Sequence, residues 1–458
     1  MDIIKKRHAC EIVKHLVDNG YQAFFAGGYV RDMLLGQSNE GDIDIATNAA
    51  PGVVASLFPQ VIGVGEQFGV MIVVKNGIPF EVATFRSDIG ICDGRHPEAI
   101  VFSGAEDDAL RRDFTVNGMF LDPVTGQVFD YVDGKKDLEK KIIRAIGNPG
   151  KRFEEDYLRL LRAIRFAARF EFNIEENTWA AVKEKAGNIT CISPERIFQE
   201  LDKIFTGPHP DKALVLLLKS GLLRVILPEV TATVGVAQPP EFHPEGDVFT
   251  HTVKALSLLV NPSRITAWSA LLHDIGKPRT MTISDRIRFS NHSRTGADMA
   301  EQILMRLKAP NSLIEGVYAC IDNHMNFMNV TNMRLSTLKK FLSRSTFEYE
   351  MELHRADCLA SHGDISNHVF LRKKQKEIPV NEVKPLPLLT GKDLICLDFS
   401  PGPAFKKILG EAYDAQLEGK IKDKTDAIKW AKNNVEFTLK SLFSERPAKK
   451  ITRNQEGA

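Results

Sequence analysis

The sequence has few cysteines, no closely spaced cysteine pair and no long apolar run. Its six cysteines, at positions 10, 92, 191, 320, 358 and 396, are spread over 458 residues. This scatter argues against a disulfide scaffold or a structural zinc site and favours a reducing compartment. No apolar run approaches the roughly 18 residues that cross a bilayer, and the first residues lack the apolar core of a signal peptide. We therefore expect a cytoplasmic protein that does not engage a membrane.

The chain also lacks a net charge that would indicate its partner. Its formal charge is +1, and its hydrophobic fraction of 43% and charged fraction of 26% are ordinary globular values, which exclude a fibre or a long disordered chain. Charge is uneven locally, because residues 135–169 contain eleven Lys/Arg and only five Asp/Glu. Histidine is uneven too, with eight of the twelve between His243 and His368. These two regions are the candidates for anion binding and for imidazole chemistry.

Residue patterns divide the chain into an α/β head and a long helical remainder. Strand-like segments at 22–26, 43–46, 70–74 and 80–85 lie between turn signals. From residue 152 onward apolar residues recur at helical spacing, with proline-containing breakers at 207–210, 238–240 and 379–387. We predict an α+β fold class with a head at 1–145, a neck and body at 146–237, a helical domain at 238–380 and a helical C-terminal module at 381–458.

The head contains a glycine turn and paired carboxylates. Gly27 and Gly28 follow an apolar strand and precede Arg31, a turn at which backbone N–H groups can approach an anion. Asp42 and Asp44 are two residues apart on a predicted strand, so both are expected on one face. Such carboxylates repel unless a cation lies between them, and Mg²⁺ prefers carboxylate and phosphate oxygens. Alone, the first element is more typical of an ordinary tight turn with a surface arginine and the second of an ordinary surface strand, but their succession within about ten residues favours a phosphate and metal site.

A basic helix is predicted over residues 153–170. Arginines at 159, 162, 165 and 169 share one face, which an exposed basic surface would also explain. Cytosine and adenine both present an amino donor beside a ring-nitrogen acceptor, and guanine and uracil present the reverse order. A carboxylate and a guanidinium one turn apart would therefore accept C and A. Asp156 and Arg159 have these residue types and this spacing. Separately, Glu81 in the predicted strand at 80–85 is a candidate third carboxylate beside Asp42 and Asp44, from its residue type and position.

These segments together resemble the class II tRNA nucleotidyltransferases, which share a polymerase-β-like head with bacterial poly(A) polymerases. Further matches follow in order at 111–117, 155–159, 193–201, 391–394 and 401–403. The resemblance implies a nucleotidyltransferase head followed by an all-α neck and body. It implies that Asp42 and Asp44 are catalytic and hold Mg²⁺. The implied nucleotide-binding residues, with two further candidates at the end, are Gly28, Arg31, Arg112, Asp156, Arg159, Arg162, Arg165, Asp113 and Asn117.

The activity implied by this resemblance is addition of CCA, or only its terminal A, to the 3′ acceptor end of tRNA from CTP and ATP. Residues 88–101 resemble the family's flexible loop, which is associated with the switch from C to A addition. The length of this stretch argues against an enzyme limited to C. A poly(A) polymerase acting on general RNA 3′ ends remains an alternative, because the same base-reading pair would serve it. The sequence does not indicate an oligomeric state.

The histidine-rich middle carries the order H…HD…D, which resembles the HD phosphohydrolase superfamily, together with two more histidines. The candidate metal ligands are His251, His273, Asp274, Asp357, His292 and His324. Adjacent His and Asp residues on a buried helix can reach one divalent ion, which then activates water against a phosphoester. The resemblance implies an all-α HD domain with a divalent metal of undetermined identity and a candidate phosphohydrolase activity. In a further alternative this is the only activity, and the head is a non-catalytic RNA-binding module.

Overall fold

The computed structural model describes residues 2–37, 41–65, 69–91, 97–399 and 401–444. It divides into two compact units, Met1–Ile321 and Asp322–Ala458. The predicted α+β class is confirmed, since a sheet with helices is followed by a helical body. The predicted division into four domains stays a prediction. Within the described ranges, no helix is both long enough and apolar enough to cross a membrane.

A mixed sheet forms the head. The head strands are β1 (Ala23–Ala26), β2 (Asp44–Thr47), β3 (Val61–Gly65), β4 (Val70–Lys75), β5 (Ile78–Thr84), β6 (Arg86–Ile91), β7 (Pro97–Phe102), β8 (Met119–Leu121) and β9 (Val128–Asp130). Seven of them form one sheet in the order β3-β4-β5-β2-β1-β8-β9. Only the β2–β5 pair in this sheet is parallel. The four strands predicted from β-branched and aromatic runs are found within two residues of their predicted ends.

The strands β6 and β7 form a separate antiparallel hairpin. This hairpin includes most of the stretch that resembles the family's flexible loop. Residues 92–96 of that stretch lie outside the described residues, as does the basic tail from residue 445 onward.

Five helices complete the head: α1 (Asp2–Asp18), α2 (Gly28–Leu34), α3 (Pro51–Leu57), α4 (Ala105–Leu110) and α5 (Gly134–Glu139). Small residues of β1, β2 and α4 pack against Phe85 and Phe120 in a buried cluster. The rings of Phe85 and Phe120 meet edge to face, with centroids 5.7 Å apart. Burial of these rings in well-packed contact supports the sheet beneath the glycine turn.

The neck and body consist of short helices: α6 (Pro149–Glu155), α7 (Leu158–Phe170), α8 (Glu176–Lys185), α9 (Pro194–Phe205), α10 (Pro210–Ser220), α11 (Leu222–Ile226) and α12 (Pro228–Thr231). A two-stranded parallel pair, β10 (Ile142–Ile143) and β11 (Asn173–Ile174), lies beside them. Leu160, Leu161 and Ile164 are fully buried, which places the apolar stripe of α7 toward the body. The arginines of α7 therefore lie on its other side.

The predicted single helix over residues 153–170 is wrong, because the chain breaks between α6 and α7. Asp156 adopts an extended backbone, with φ −157° and ψ 104°. Its Oδ1 accepts a hydrogen bond from the Leu158 N–H at 3.1 Å. An aspartate satisfies unpaired N–H groups at the start of a helix, so Asp156 ends one helix and caps the next.

The rest of the first unit contains α13 (Val248–Ser257), α14 (Arg264–Leu272), α15 (Lys277–Thr280), the hairpin β12 (Met281–Ile283) and β13 (Ile287–Phe289), α16 (His292–Arg306) and α17 (Asn311–Asn323). Trp268 of α14 is fully buried. Its ring centroid lies 5.6 Å from those of Phe198 and Phe205 on α9. This aromatic contact joins the histidine-rich helices to the neck within one core.

The second unit is helical. Its helices are α18 (Leu335–Leu342), α19 (Phe347–Ala360), α20 (Ser366–Glu377), α21 (Val380–Val383), α22 (Gly391–Cys396), α23 (Pro403–Leu417) and α24 (Lys424–Ser444). Phe327 and Phe341 belong to one of its buried clusters. A second cluster includes Leu394 and Ile408. A capping box between Thr390 and Asp393 begins α22.

Candidate functional site

The turn between β1 and α2 requires glycine at its first position. Gly27 has a φ of 65°, which residues with a Cβ rarely adopt. A Cβ on Gly27 would also lie only 3.0 Å from Nη1 of Arg112. The guanidinium of Arg112 therefore lies directly against the backbone of the turn, in the space that a side chain at position 27 would need.

Three carboxylates gather where β2 begins. Asp44 is the first residue of β2, and the parallel pairing with β5 places Glu81 beside it. Burial raises the pKa of Asp44 to about 6, with further contributions from Glu81 and Asp42, and Arg112 opposes the rise. A divalent cation would relieve this crowding of negative charge, and carboxylate oxygens suit Mg²⁺. Asp44 and Glu81, on adjacent parallel strands, are therefore carboxylates of the type that Mg²⁺ binds, and the predicted metal-ligand role of Asp42, Asp44 and Glu81 stays a prediction.

Asp42 lies in the loop before the strand. The pairing of β1 with β2 ends at Ala26 and Asp44, so the residues before Asp44 have left the sheet. The side chain of Asp42 is 93% exposed, and its Oδ1 lies 2.8 Å from Nζ of Lys5. The prediction that both aspartates lie on one strand is therefore wrong for Asp42.

Arg31 is a buried anchor. It is 3% exposed. Its Nη1 donates to Oδ1 of Asn117 at 2.6 Å and its Nε to Oδ1 of Asp32 at 2.7 Å. Its Cζ lies 4.6 Å from the ring centroid of Phe170. Burial lowers the pKa of Arg31, and Asp32 opposes this shift. These contacts tie the glycine turn to α7.

Arg112 is held by a carboxylate that the motif analysis missed. Asp108 of α4 is 1% exposed. It accepts from Nη2 of Arg112 at 3.0 Å and from Nη2 of Arg111 at 2.6 Å. Burial raises the pKa of Asp108, but the two guanidiniums outweigh this and hold it below its ordinary value. The sequence does contain a signal for this partner: Asp108 precedes Arg111 by three residues and Arg112 by four, the spacings at which oppositely charged side chains pair on a helix.

Asp113 connects the head to α7. Its Oδ2 accepts from Nε of Arg162 at 2.7 Å, and its Oδ1 accepts from Nδ2 of Asn117 at 3.0 Å. Burial opposes ionisation of Asp113, but Arg162 and Asn117 lower its pKa to about 2. Asp113 and Asn117 thus already bind protein groups, and they hold Arg162 and Arg31 in place.

The predicted base-selecting residues contact other partners in this structure. The Asp156 carboxylate accepts from Nη1 and Nη2 of Arg196 at 3.2 and 2.7 Å. Nη1 of Arg159 donates to Oε2 of Glu155 at 2.5 Å and Nη2 donates to the carbonyl of Arg111 at 3.2 Å. Arg196 and Glu155 lie within matched segments, but neither was singled out. The two-pronged guanidinium contact fixes the plane of the Asp156 carboxylate.

The neck helix α9 supplies another missed carboxylate, Glu200, which is 3% exposed and binds Nε of Arg165. These contacts surround one cleft of about 460 Å³. The predicted residues that line it are Gly28, Arg31, Asp44, Arg112, Asp113, Asn117, Asp156, Arg159, Arg162 and Arg165. The cleft therefore brings together the glycine turn, Asp44 and the pair Asp156 and Arg159 that was predicted to select the base.

A second group of functional side chains lies in the first unit. We call His251, His273, Asp274 and His292 the histidine cluster. The cluster residues are at most 7% exposed. Nε2 of His273 and Nε2 of His251 lie 3.2 and 3.8 Å from Oδ2 of Asp274, and Nε2 of His292 lies 3.6 Å from Oδ1. The three rings thus turn the same nitrogen toward one carboxylate.

The other ring nitrogen determines how each imidazole is protonated. Nδ1 of His273 lies 2.9 Å from the Ala270 carbonyl and Nδ1 of His292 lies 2.8 Å from the Phe289 carbonyl. Carbonyl oxygens only accept, so Nδ1 carries the proton and Nε2 of the neutral ring has a lone pair. Lone pairs facing Asp274 favour a cation between them, and imidazole with carboxylate suits divalent transition metals. The cluster fits a metal site.

Glu245 and His243 extend this cluster. Oε1 of Glu245 lies 2.6 Å from Nδ1 of His251 and 2.9 Å from Nδ1 of His243. Burial opposes ionisation of Glu245, but hydrogen bonds from both histidines lower its pKa to about 2. Neither His243 nor Glu245 was among the predicted metal ligands, because a single histidine or carboxylate in a turn-rich segment has no periodic signal.

His324 and Asp357 belong to the second unit. His324 begins a 3-10 stretch and is 5% exposed. Asp357 lies on α19. Their predicted roles as metal ligands stay predictions.

Three protein families match the chain in order. The Poly A polymerase head domain matches residues 23–144. The family described as the probable RNA and SrmB-binding site of polymerase A matches residues 171–233. The HD domain matches residues 248–365.

Curated relatives are CCA-adding enzymes. The enzyme of Bacillus pumilus is 41% identical over 216 residues, 47% of this chain and 54% of the relative. That of Geobacillus sp. is 43% identical over 215 residues, 47% of this chain and 53% of the relative. The chain thus spans about half the length of these two relatives. The enzyme of Bacillus subtilis is 30% identical over 435 residues, 93% of this chain and 97% of the relative.

Solved structures agree in fold. The Bacillus stearothermophilus CCA-adding enzyme in complex with CTP has a TM-score of 0.73 and 27% identity, covering 95% of this chain and 99% of that one. The Thermotoga maritima CCA-adding enzyme complexed with tRNA has a TM-score of 0.57 and 20% identity, with 95% coverage of both chains, and supports the fold alone. Since the Bacillus subtilis relative matches along nearly its whole length, this chain belongs to the family of CCA-adding enzymes.

Proposed function

We propose that this chain is a template-independent nucleotidyltransferase that adds CCA, or its terminal A, to tRNA 3′ ends from CTP and ATP. The observation that carries the proposal is the single cleft onto which Gly28, Asp44, Asp156 and Arg159 all open. Its volume of about 460 Å³ is in the range of small-molecule sites. The Bacillus stearothermophilus relative in complex with CTP supports the same use of the cleft.

At the sheet end, Asp42, Asp44 and Glu81 would hold Mg²⁺. When bound, Mg²⁺ activates the RNA 3′-hydroxyl and neutralises the triphosphate as pyrophosphate leaves. Arg112 lies against the glycine turn, where its guanidinium and the backbone of Gly28 would bind the nucleotide phosphates. Asp108 holds Arg112 in this position, so little reorganisation is needed when the nucleotide binds.

At the opposite end, Asp156 and Arg159 would select the base. An ionised carboxylate only accepts and a guanidinium only donates, which matches the amino group and ring nitrogen shared by cytosine and adenine. Arg196 holds the Asp156 carboxylate from the neck. Guanine and uracil would place donor against donor and acceptor against acceptor, so they are rejected.

The basic stretch of residues 135–169 serves two purposes in this proposal. Its arginines at 159, 162 and 165 line the cleft, and each binds a carboxylate. Its lysines at 135, 136, 140, 141 and 151 are exposed. Exposed lysines would contact phosphates of the acceptor stem without reading its sequence.

Two further predictions concern the histidine cluster and the cellular location of the protein. The histidine cluster supports a second candidate function, metal-dependent phosphoester hydrolysis, because its donors suit a divalent ion. The cytoplasmic location stays a prediction.

The test uses three tRNA transcripts that end before CCA, after one C and after CC. Each is incubated with Mg²⁺ and CTP, ATP or both, and product lengths are read on a sequencing gel. Completion of the shortest transcript by three nucleotides is the expected result for CCA addition, and a single A only on the CC-ending transcript would indicate A addition. Long A ladders on any RNA would favour a poly(A) polymerase. No extension by the wild-type chain would overturn the proposal.

A further inference from the structure

The three imidazole rings of the histidine cluster are oriented by different kinds of hydrogen-bond acceptor. His273 and His292 bind backbone carbonyls three residues earlier in the chain. His251 instead binds the side chain of Glu245, six residues earlier and before α13 begins. The ring of His251 is therefore oriented by a charged group, and the other two rings are oriented by neutral ones.

We propose that Glu245 is a positioning residue for metal binding by the histidine cluster. A carboxylate accepts only, so its 2.6 Å contact with Nδ1 of His251 leaves Nε2 of the neutral ring as the donor to a metal. A carboxylate behind a ligating imidazole also raises the basicity of that imidazole. Glu245 thus determines both the direction and the strength of His251 as a ligand. This inference is independent of nucleotidyl transfer by the head.

Glu245 is itself held rigidly. Its side chain is 4% exposed, and His243 contacts the same Oε1 from the other side at 2.9 Å. Its Oε2 is buried and has no hydrogen-bond partner among the described residues. A buried carboxylate with one unsatisfied oxygen carries a free-energy cost. A metal ion bound by His251 would offset part of that cost through its attraction to the Glu245 carboxylate.

The charge balance of the cluster supports the same role. Nζ of Lys277 lies 2.7 Å from Oδ2 of Asp274, so the charge of Asp274 is already shared with a buried ammonium group. A divalent ion added beside these two groups would leave the site with an excess of positive charge. Glu245 supplies a second negative charge directly behind His251 and reduces this excess.

The test measures Co²⁺ binding to the full-length protein, with excess Mg²⁺ present to occupy the carboxylate site of the head. Co²⁺ is chosen because imidazole ligands favour it over Mg²⁺ and its visible absorption reports nitrogen ligation. Glu245→Gln keeps the shape of the side chain and removes its charge. Glu241→Gln, at an exposed position four residues earlier, is the matched control. Glu245→Asp keeps the charge.

Glu245→Gln is expected to weaken Co²⁺ binding about 10- to 100-fold and to alter the Co²⁺ absorption spectrum. Glu241→Gln should match the wild type, and Glu245→Asp should lie between wild type and Glu245→Gln. Unchanged nucleotide addition by Glu245→Gln shows that the variant is folded. Affinity within about threefold of wild type with an unchanged spectrum would overturn the proposal, as would a wild-type protein that binds no Co²⁺.

Discussion

The nucleotide cleft and the histidine cluster hold their functional side chains in opposite ways. In the cleft, charged groups from distant segments hold one another, as Arg162 does with Asp113 and Arg196 with Asp156. In the cluster, the rings are oriented by acceptors three to six residues away. Arg31 and Asp113 of the cleft are as buried as the cluster, but other cleft side chains are partly exposed: that of Arg162 is 33% exposed and that of Asp156 22%, whereas that of His251 is 0% exposed.

This difference indicates two kinds of ligand. The Arg196–Asp156 pair is partly exposed on both sides, and partly exposed ion pairs have a small net free energy, so on the proposed function a bound nucleotide can replace Arg196 as the partner of Asp156 at low cost. A cleft built in this way can accommodate both cytosine and adenine. Buried rings fixed by short-range hydrogen bonds cannot rearrange in this way, so the cluster suits a small ion with fixed donor directions.

The largest effects are expected from single substitutions that inactivate one of the two sites and leave the other intact. Asp44→Asn removes a charge from the carboxylate group of the head, so nucleotide addition should fall at least about 10³-fold, or about 4 kcal/mol. Co²⁺ binding by the histidine cluster should not change. His273→Ala should do the reverse, with loss of Co²⁺ binding and normal addition to a CC-ending tRNA. For both variants, extension of tRNA on a gel measures nucleotide addition, and titration of the visible absorption measures Co²⁺ binding.

Asp18→Asn, at an exposed position at the end of α1, serves as the control and should change neither measurement. Activity retained by Asp44→Asn would contradict the assignment of Asp44 to the reaction. Coupled loss of both measurements in either variant would show that the two sites are not independent.

A smaller effect should follow from releasing Asp156. Arg196→Met removes the guanidinium that fixes the Asp156 carboxylate, so kcat/KM for CTP and ATP should fall about 10- to 100-fold. Discrimination against GTP and UTP should weaken as well, because a mobile carboxylate reads hydrogen-bond direction less well. Single-nucleotide addition with each triphosphate measures both effects.

The conservative variant Arg196→Lys keeps the charge but not the two-pronged contact, and should lie between wild type and Arg196→Met. Arg224→Met, at an exposed position on α11, is the control. If Arg196→Met lowered stability but left the order of preference among the four triphosphates unchanged, Arg196 would have no part in base selection.

The comparison also shows what a sequence can predict here. Local patterns were sufficient for four of the nine head strands that the structure describes and for the turn at Gly27, because each depends on neighbouring residues. Partners far apart in the chain were not predicted: Arg196 contacts Asp156 across 40 residues and Glu200 contacts Arg165 across 35. Such pairs depend on how α7 and α9 pack against each other, and the spacing of residues along the sequence does not indicate that packing.

The helix break was missed for a different reason. The segments on both sides of Asp156 have helical spacing, so periodicity alone joins them. Aspartate is nevertheless a preferred residue at helix starts, and this signal was present in the sequence. A capping residue inside a periodic segment therefore deserves to be weighed as a boundary.

The smallest expected effect is on the stability of the protein in acid. It tests how much the Asp113–Arg162 ion pair of the cleft contributes to the free energy of unfolding. Asp113 has a pKa of about 2 in the folded protein, against an ordinary value of 3.8. A lowered folded-state pKa contributes stability above the ordinary value, and this stability is lost as the pH falls through 3.8 toward 2. The full contribution is about 2 kcal/mol, of which about 1 kcal/mol should be lost between pH 5 and pH 3.

Asp113→Asn removes this titration. The variant should be less stable than wild type at pH 7, but its free energy of unfolding should fall about 1 kcal/mol less between pH 5 and pH 3. Urea denaturation followed by tryptophan fluorescence measures the difference at each pH. Asp107→Asn, at an exposed position on α4, should keep the wild-type pH dependence. If Asp113→Asn also kept it, Arg162 would not hold an ionised Asp113, and the ion pair that joins the head to α7 would have no measurable part in the stability of the cleft.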